Sequence, residues 1–131
     1  MTPTPKNSGT ALVFGGSGGL GSAICHRLAS DWDNVFFTYH NNADKAEALK
    51  IELSTITNCA YSAVDMRNTE SIVNSITLAQ ELSPEIGTVV FASGARIEQP
   101  FVADIESEQW EEVFEVELKG FTRVVKAILP I

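Results

Sequence analysis

Five glycines fall within seven positions in the segment GGSGGLG, residues 15–21. The segment follows a short apolar run, Ala11–Phe14, and precedes a run of helical periodicity. At such a junction, glycines leave the backbone bare, so that amide groups can approach a phosphate at the positive end of the helix dipole. The glycines therefore predict a phosphate-binding loop, and a flexible loop without a ligand is the alternative.

Two spacings within this segment fit dinucleotide binding. One is G-x-G-x-x-G at Gly16, Gly18 and Gly21, and the other is G-x-x-x-G-x-G at Gly15, Gly19 and Gly21. No lysine follows the glycines, which excludes the phosphate loop of P-loop NTPases.

The segment FFTYHNN, which ends the second predicted strand, carries no acidic residue. Tyr39 falls where an Asp or Glu would bond the ribose 2′-hydroxyl of NAD and repel a 2′-phosphate. His40, Asn41 and Asn42 are potential donors, and Lys45 follows one turn later. The pattern therefore favours NADP(H) over NAD(H), although for His40 an exposed loop histidine is an equal alternative.

The loop must be held between a strand and a helix, and the whole chain alternates between these two kinds of segment. Apolar β-prone runs predict strands at Ala11–Phe14, Asn34–Tyr39, Cys59–Val64 and Gly87–Ala92. Helical periodicity over residues 20–28, 43–53 and 72–79 indicates βαβ units and a parallel sheet. Right-handed crossovers then give the strand order 3-2-1-4. The predicted fold class is α/β: a Rossmann-type, doubly wound parallel sheet with only its first four strands and their helices present.

A long amphipathic helix is predicted over Ser107–Pro130. Its apolar stripe consists of Trp110, Phe114, Leu118, Phe121, Val125 and Ile128. Glu117 lies three residues from Phe114 and four from Phe121, so helical geometry points it toward this stripe. We expect Glu117 to be at least partly buried, and a glutamate that curls out to water is the alternative. We also expect the helix to be partly uncovered, beside an exposed edge strand.

Composition narrows the classes of partner. The 131 residues include 9 Lys and Arg against 17 Asp and Glu, a net charge of −8, so we expect no nucleic-acid partner. No run reaches the length of a membrane span, so we expect no membrane partner. Cys25 and Cys59 lack the spacing of a metal site or a disulfide framework, which fits a cytoplasmic protein without a metal. We assign residues 1–10 to a polar N-terminal segment and residues 11–131 to one NAD(P)-binding domain.

Four segments, in the right order, resemble the short-chain dehydrogenase/reductase family over essentially the whole chain. The family's G-x-x-x-G-x-G loop is similar to GGSGGLG, and the end of its third strand is similar to SAVDMRN. Its Asn-Asn-Ala-Gly strand end is similar to FASGA, and its W-x-x-V-x-x-V-N-L-K-G helix is similar to WEEVFEVELKG. The resemblance implies that Asp65 bonds the adenine with help from the Met66 backbone. The expected cofactor-binding residues are Gly15, Ser17, Gly18, Gly19, Leu20, Gly21, Tyr39, His40, Asn41, Asp65, Met66, Ala92, Ser93 and Gly94.

Several positions depart from the family pattern. Phe14 stands at a usual Thr, and Phe91 and Ala92 replace the two asparagines, so we expect one apolar contact to replace a polar one between the first and fourth strands. Gly18 holds a position where family members that use NADP often carry a basic residue. Glu117 stands at the catalytic Asn, where it could hold a water of the proton relay or pair with the catalytic Lys, and it is our catalytic candidate.

The resemblance implies an NADP(H)-dependent oxidoreductase that moves hydride between nicotinamide and a small carbonyl or alcohol substrate. The family's catalytic Ser and Tyr-x-x-x-Lys would lie beyond this chain, because neither Tyr39 nor Tyr61 begins such a motif. We therefore expect a domain truncated before its fifth strand, inactive alone, whose full-length form is a homo-oligomer. A non-catalytic nucleotide-binding or interaction module, or an inactive fragment, is the alternative.

Overall fold

A computed structural model describes residues 2–95 and 101–131. The first part alternates strands and helices: β1 (Asn7–Phe14), α1 (Gly19–Asp31), β2 (Trp32–Tyr39), α2 (Ala43–Leu53), β3 (Asn58–Ala63), α3 (Thr69–Leu82) and β4 (Ile86–Phe91). The second part is helical: a 3-10 turn (Val102–Asp104), α4 (Ser107–Val113), a π-helical segment (Phe114–Lys119), called the π turn below, and α5 (Gly120–Ile128).

The four strands form one parallel sheet in the order β3-β2-β1-β4, which confirms the predicted fold class and strand order. Val13 of β1 faces Phe37 of β2 on one side and Val90 of β4 on the other. Because all strands run in one direction, their carboxyl ends meet along one edge of the sheet. That edge is where open α/β sheets bind ligands.

The predicted strand bounds differ from the observed ones mainly at the amino ends. β1 begins at Asn7 rather than Ala11, and β2 at Trp32 rather than Asn34. Polar contacts extend the sheet there, because the Asn7 side chain donates to the Asp31 carbonyl at 3.1 Å. β3 and β4 each begin and end one residue earlier than predicted.

Alternating side chains build a core on each face of the sheet. Val13, Phe37 and Cys25 belong to the core that α1 and α2 cover. Leu12 and Phe36 belong to the core on the opposite face, which α3 and α5 cover. The sheet is therefore fixed from both sides, and its carboxyl edge is a rigid platform for the loops that follow the strands.

Trp32 closes the amino edge of the sheet. Its ring lies against Gly9 of β1 and Gly87 of β4. A Cβ at Gly87 would lie 2.3 Å from the ring, and a Cβ at Gly9 would lie 3.4 Å from it. Trp32 therefore leaves no room on β4 for a residue larger than glycine at position 87.

The predicted long helix is present, but the π turn interrupts its α-helical geometry. The run is fastened to the sheet side by buried Val124 and Gly120, and a Cβ on Gly120 would lie 3.0 Å from the Met66 Cβ. Much of the apolar stripe faces outward, as expected: Trp110, Phe114, Leu118 and Phe121 are each exposed. Within residues 2–95 and 101–131, no helix combines the length and the apolar character that a membrane span needs.

Candidate functional site

A cleft of about 430 Å³ opens at the carboxyl edge of the sheet, between the loops that follow the strands and the helical run of α4 and the π turn. The cleft brings together most of the residues expected from the sequence: Gly15, Ser17, Gly18, Tyr39, His40, Asn41, Asp65, Met66, Ala92, Ser93 and Gly94. Gly19, Leu20, Gly21 and Glu117 lie outside its lining.

Three glycines of the loop are required by the fold itself. Gly15 has a φ of 80° and its Cβ would lie 2.7 Å from the Ser93 nitrogen. At Gly16 a Cβ would lie 2.4 Å from the Cβ of Phe37, and at Gly21 it would lie 2.0 Å from the Gly15 carbonyl oxygen. These positions hold the loop flat against β2, β4 and the start of α1.

Gly18 and Gly19 have no such requirement. A Cβ at Gly19 would meet no atom within 4 Å, and one at Gly18 would meet only the Gly15 carbonyl oxygen at 3.5 Å. Gly18 is the N-cap of α1 and its N–H donates to the Gly15 carbonyl at 3.3 Å, whereas Gly19 begins the helix, whose first N–H groups have no partner within it. Open space, free donors and the helix dipole together fit a phosphate group at this point.

Thr38 holds the glycine loop and was not anticipated from the sequence. Its buried hydroxyl accepts a hydrogen bond from the Gly15 N–H at 3.1 Å, and its carbonyl accepts one from the Gly16 N–H at 2.9 Å. A threonine directly after the apolar run Val35–Phe37 was the available signal, because a buried hydroxyl needs a partner.

The end of β2 and the start of α2 form what we call the β2 rim of the cleft: Tyr39, His40, Asn41, Asn42 and Lys45. None of these five residues is acidic, and Asp44, on the first turn of α2, does not line the cleft.

The ring of His40 is held by a backbone contact. Its Nδ1 lies 3.2 Å from the Val64 carbonyl oxygen, which can only accept, so Nδ1 carries the proton. The Nε2 atom then donates only when the ring is protonated. Lys45 is therefore the permanent positive charge of the β2 rim.

Asp65 lies at the end of β3, in a turn that it organises itself. Its Oδ1 accepts from the Arg67 N–H at 2.9 Å, and its own N–H donates to the Ser71 hydroxyl at 3.1 Å. The Arg67 guanidinium contacts Glu112 of α4, and the hydrogen bond to Glu112 raises the pKa of Arg67. Arg67 and Glu112 thus join β3 to α4 across one wall of the cleft, and neither was anticipated as a lining residue.

The apolar contact expected between the first and fourth strands is present. Phe14 and Phe91 are register partners, both belong to one core cluster, and the Ala92 N–H donates to the Phe14 carbonyl at 2.8 Å. Phe91 also meets the Phe121 ring edge-on, with centroids 5.5 Å apart. The apolar residues Phe14 and Phe91 therefore keep β1, β4 and the helical run in contact.

The expected burial of Glu117 is wrong, because the residue is exposed. Its Oε1 accepts a hydrogen bond from the Ala95 N–H at 3.0 Å, which ties the π turn to the loop after β4. The π turn changes the angular step of the helix, so the α-helical spacing used to orient Glu117 does not apply there. Glu115 is half-buried in its place and pairs with Arg123 and Lys119.

Comparison with known proteins agrees with this geometry. The family model described as short chain dehydrogenase matches residues 9–131, and the chain belongs to this family of oxidoreductases, which bind a nicotinamide cofactor. The chain is 26% identical over 121 residues to an uncharacterised oxidoreductase of Staphylococcus saprophyticus, covering 92% of this chain and 51% of the relative. It is 27% identical to the 3-oxoacyl-[acyl-carrier-protein] reductase of Staphylococcus epidermidis, covering 92% and 50%.

A similar fold occurs in the crystal structure of a dehydrogenase/reductase from Sinorhizobium meliloti 1021. The TM-score is 0.82 at 28% identity, with 91% of this chain and 47% of that chain covered. The chain therefore spans about half the length of these relatives.

Proposed function

We propose that this chain forms the cofactor-binding part of an NADP(H)-dependent oxidoreductase that reduces or forms a small carbonyl compound. When bound, the nicotinamide supplies or accepts the hydride. One relative is a reductase of 3-oxoacyl groups, and this supports a carbonyl as the substrate class.

The β2 rim is the observation that carries this proposal. Tyr39, Asn41 and Asn42 bring side-chain donors to the cleft and Lys45 brings a positive charge, and none of the five rim residues brings a carboxylate. A 2′-phosphate would therefore gain from Lys45 and meet no acidic residue of the rim, whereas an NAD-specific site places an acidic residue at the Tyr39 position.

The remaining cofactor contacts follow from the cleft. The open backbone at Gly18 and Gly19 would receive the pyrophosphate, with Ser17 and Leu20 on either side. Asp65 would accept from the adenine amino group beside the Met66 backbone. At the other end, Ala92, Ser93 and Gly94 would border the nicotinamide.

Glu117 would act there by holding the backbone at Ala95. The hydrogen bond at 3.0 Å joins its carboxylate to the loop that follows Gly94. We therefore assign Glu117 a positioning role in hydride transfer.

Titration with NADPH and NADH tests the cofactor preference. We expect tighter binding of NADPH, and we expect Lys45→Met to weaken it about tenfold, the loss typical of a hydrogen bond to a charged group, with little change for NADH. Lys50→Met is the matched control, because Lys50 lies on the same helix outside the cleft. Equal or tighter binding of NADH to the wild-type chain would contradict the proposal.

A non-catalytic nucleotide-binding module is the second candidate. Phe91 belongs to the core and Ala92 brings no polar side chain to the cleft, so two positions that are polar in the family are apolar here. Hydride transfer to carbonyl substrates by the protein in its longest form distinguishes the two candidates. Tight NADPH binding without any such transfer would favour the module.

We also propose that the full-length form is a homo-oligomer. The outward-facing stripe of Trp110, Phe114, Leu118 and Phe121 supports self-association, because exposed apolar patches of this kind mark interaction sites. Light scattering coupled to size-exclusion chromatography tests this, and a monomer at micromolar concentration would contradict it.

A further inference from the structure

Arg123 lies in α5, behind the wall of the cleft, and its side chain is only 22% exposed. One guanidinium nitrogen, Nη1, donates to the Met66 carbonyl at 2.9 Å and to the Glu115 carbonyl at 3.2 Å. The other, Nη2, contacts the Glu115 carboxylate, which also pairs with Lys119 at 3.2 Å. A single side chain therefore joins two segments that are distant in the sequence.

The first of these segments is the turn after β3, which carries Asp65 and Met66 to the cleft. Met66 is buried, and Gly120 of α5 packs so close to it that an added Cβ would lie 3.0 Å from the Met66 Cβ. Arg123 bonds the carbonyl of the same residue, so it fixes the turn against α5 at the point of closest approach.

The second segment is the π turn. Arg123 bonds both the carbonyl and the carboxylate of Glu115, and two residues later Glu117 accepts the hydrogen bond from Ala95. Val116, between them, lines the cleft. The π turn therefore connects Arg123, which bonds Glu115, to the loop after β4, which bonds Glu117.

We propose that Arg123 is a positioning residue of the cleft, which locks the Asp65–Met66 turn to the π turn and so fixes the spacing between the two ends of the site. The identity of the ligand at these ends rests on the proposed function above, whereas the coupling is a property of the free chain.

Arginine has a specific advantage at this position. Its planar guanidinium presents several donors in a rigid fork, so it can bond two carbonyls and a carboxylate at once. Lysine carries the same charge on a single nitrogen and cannot span these acceptors with the same geometry. Arg123→Lys should therefore weaken the coupling even though it keeps the charge.

Amide hydrogen exchange of the ligand-free chain tests the coupling directly. In Arg123→Met we expect exchange of the Arg67 and Ala95 amides to accelerate about tenfold, the change expected when local structure loses one ordinary hydrogen bond. The amides of Val13 and Phe37, in the core of the sheet, should keep their wild-type rates. Lys126→Met is the matched control, because Lys126 is exposed on the same helix, and it should change none of the four.

Binding of 2′,5′-ADP, a fragment that carries the adenine and the 2′-phosphate, provides the second readout. We expect Arg123→Met to weaken it about tenfold by the same loss, and Lys126→Met to leave it unchanged. If the wild-type chain binds neither this fragment nor NADPH, the proposed function fails, while the exchange rates still decide the role of Arg123.

Three results would overturn the proposal. They are unchanged exchange at both Arg67 and Ala95, acceleration at Arg67 alone, and uniform acceleration that includes Val13 and Phe37, which would indicate global destabilisation. If Arg123→Met does not fold, Arg123→Lys carries the same test, with accelerated exchange at Arg67 and Ala95 expected.

Discussion

The buried hydroxyl of Thr38 accepts a hydrogen bond from the Gly15 N–H at 3.1 Å, and this bond fastens the glycine loop to β2. Gly15 is also the residue whose positive φ turns the chain from β1 into the loop. The shape of the loop therefore depends on a side chain of the neighbouring strand as well as on its own glycines.

Replacement of Thr38 by Val should separate this bond from packing. Val keeps the shape but removes the acceptor, so the Gly15 N–H loses its partner, and we expect a loss of about 1–3 kcal/mol in the free energy of unfolding together with weaker NADPH binding. Urea unfolding and fluorescence titration measure the two effects. Thr10→Val is the matched control, because Thr10 is equally buried in β1 but lies away from the loop. Unchanged NADPH affinity in Thr38→Val would show that the loop keeps its shape without the bond.

Gly19 and Gly21 should respond in opposite ways to substitution. A side chain at Gly19 enters open space, so Gly19→Leu should fold with a melting temperature near that of the wild type, yet lose NADPH binding because the side chain fills the phosphate position. A Cβ at Gly21 would lie 2.0 Å from the Gly15 carbonyl oxygen, so Gly21→Ala should destabilise the fold by about 1–3 kcal/mol. Thermal melts and NADPH titration distinguish the two, and wild-type affinity in Gly19→Leu would place the phosphate elsewhere.

Glu115 should make stability depend on acid pH. Hydrogen bonds from Arg123, and then from Lys119, lower the pKa of Glu115. A lowered pKa in the folded state means that the ionised carboxylate stabilises the fold above its unfolded pKa, and that this contribution is lost as pH falls through the folded pKa. The stability difference between wild type and Glu115→Gln should therefore be largest at neutral pH, shrink as pH falls below about 4.3, the ordinary pKa of Glu in an unfolded chain, and disappear only below the lowered pKa of the folded state. Urea unfolding across this range measures it; Glu111→Gln, at an exposed position, is the control. A difference that does not vary with pH would contradict the assignment.

The two cysteines should be unreactive while the chain is folded. Burial raises the pKa of Cys25 and of Cys59 to about 12 each, and the thiolate is the reactive form. Alkylation by iodoacetamide at pH 8 should therefore be slow in buffer and fast in urea. Since only the unfolded chain ionises these thiols, the free energy of unfolding should also fall as pH rises above about 8.5. Equal alkylation rates in buffer and urea would refute this.

The strand order could be predicted because the apolar runs and the intervening helical segments follow each other regularly, and crossover handedness leaves one arrangement. The residues at the ends of β1, β2 and β3 could also be predicted, because parallel strands bring their carboxyl ends to one edge. Side chains that act through contacts with residues distant in the sequence could not be predicted. Thr38, Arg67 and Glu112 matter through partners that the sequence does not place beside them.

Glu117 shows a second limit of sequence reasoning. Its expected burial relied on α-helical spacing from Phe114 and Phe121, and the π turn that begins at Phe114 ends this spacing within one turn. A π segment carries no composition signal comparable to a proline or a glycine, so the periodic pattern continues through it unmarked. The error therefore concerned the orientation of residues 114–119, while the helical run begins at Ser107 as predicted and ends at Ile128, two residues before the predicted end.

The contact of Trp32 with Gly9 and Gly87 has an optical consequence. Trp32 lies at the amino edge of β2 and Tyr39 at its carboxyl edge, roughly 23 Å away along the strand, so its emission reports the integrity of the sheet and is remote from the cleft. Trp110 is exposed on α4 and stacks on Phe114, outside the residues that line the cleft. Emission from Trp32 therefore signals unfolding of the sheet, and a Trp110→Phe variant leaves a chain whose tryptophan emission follows folding alone.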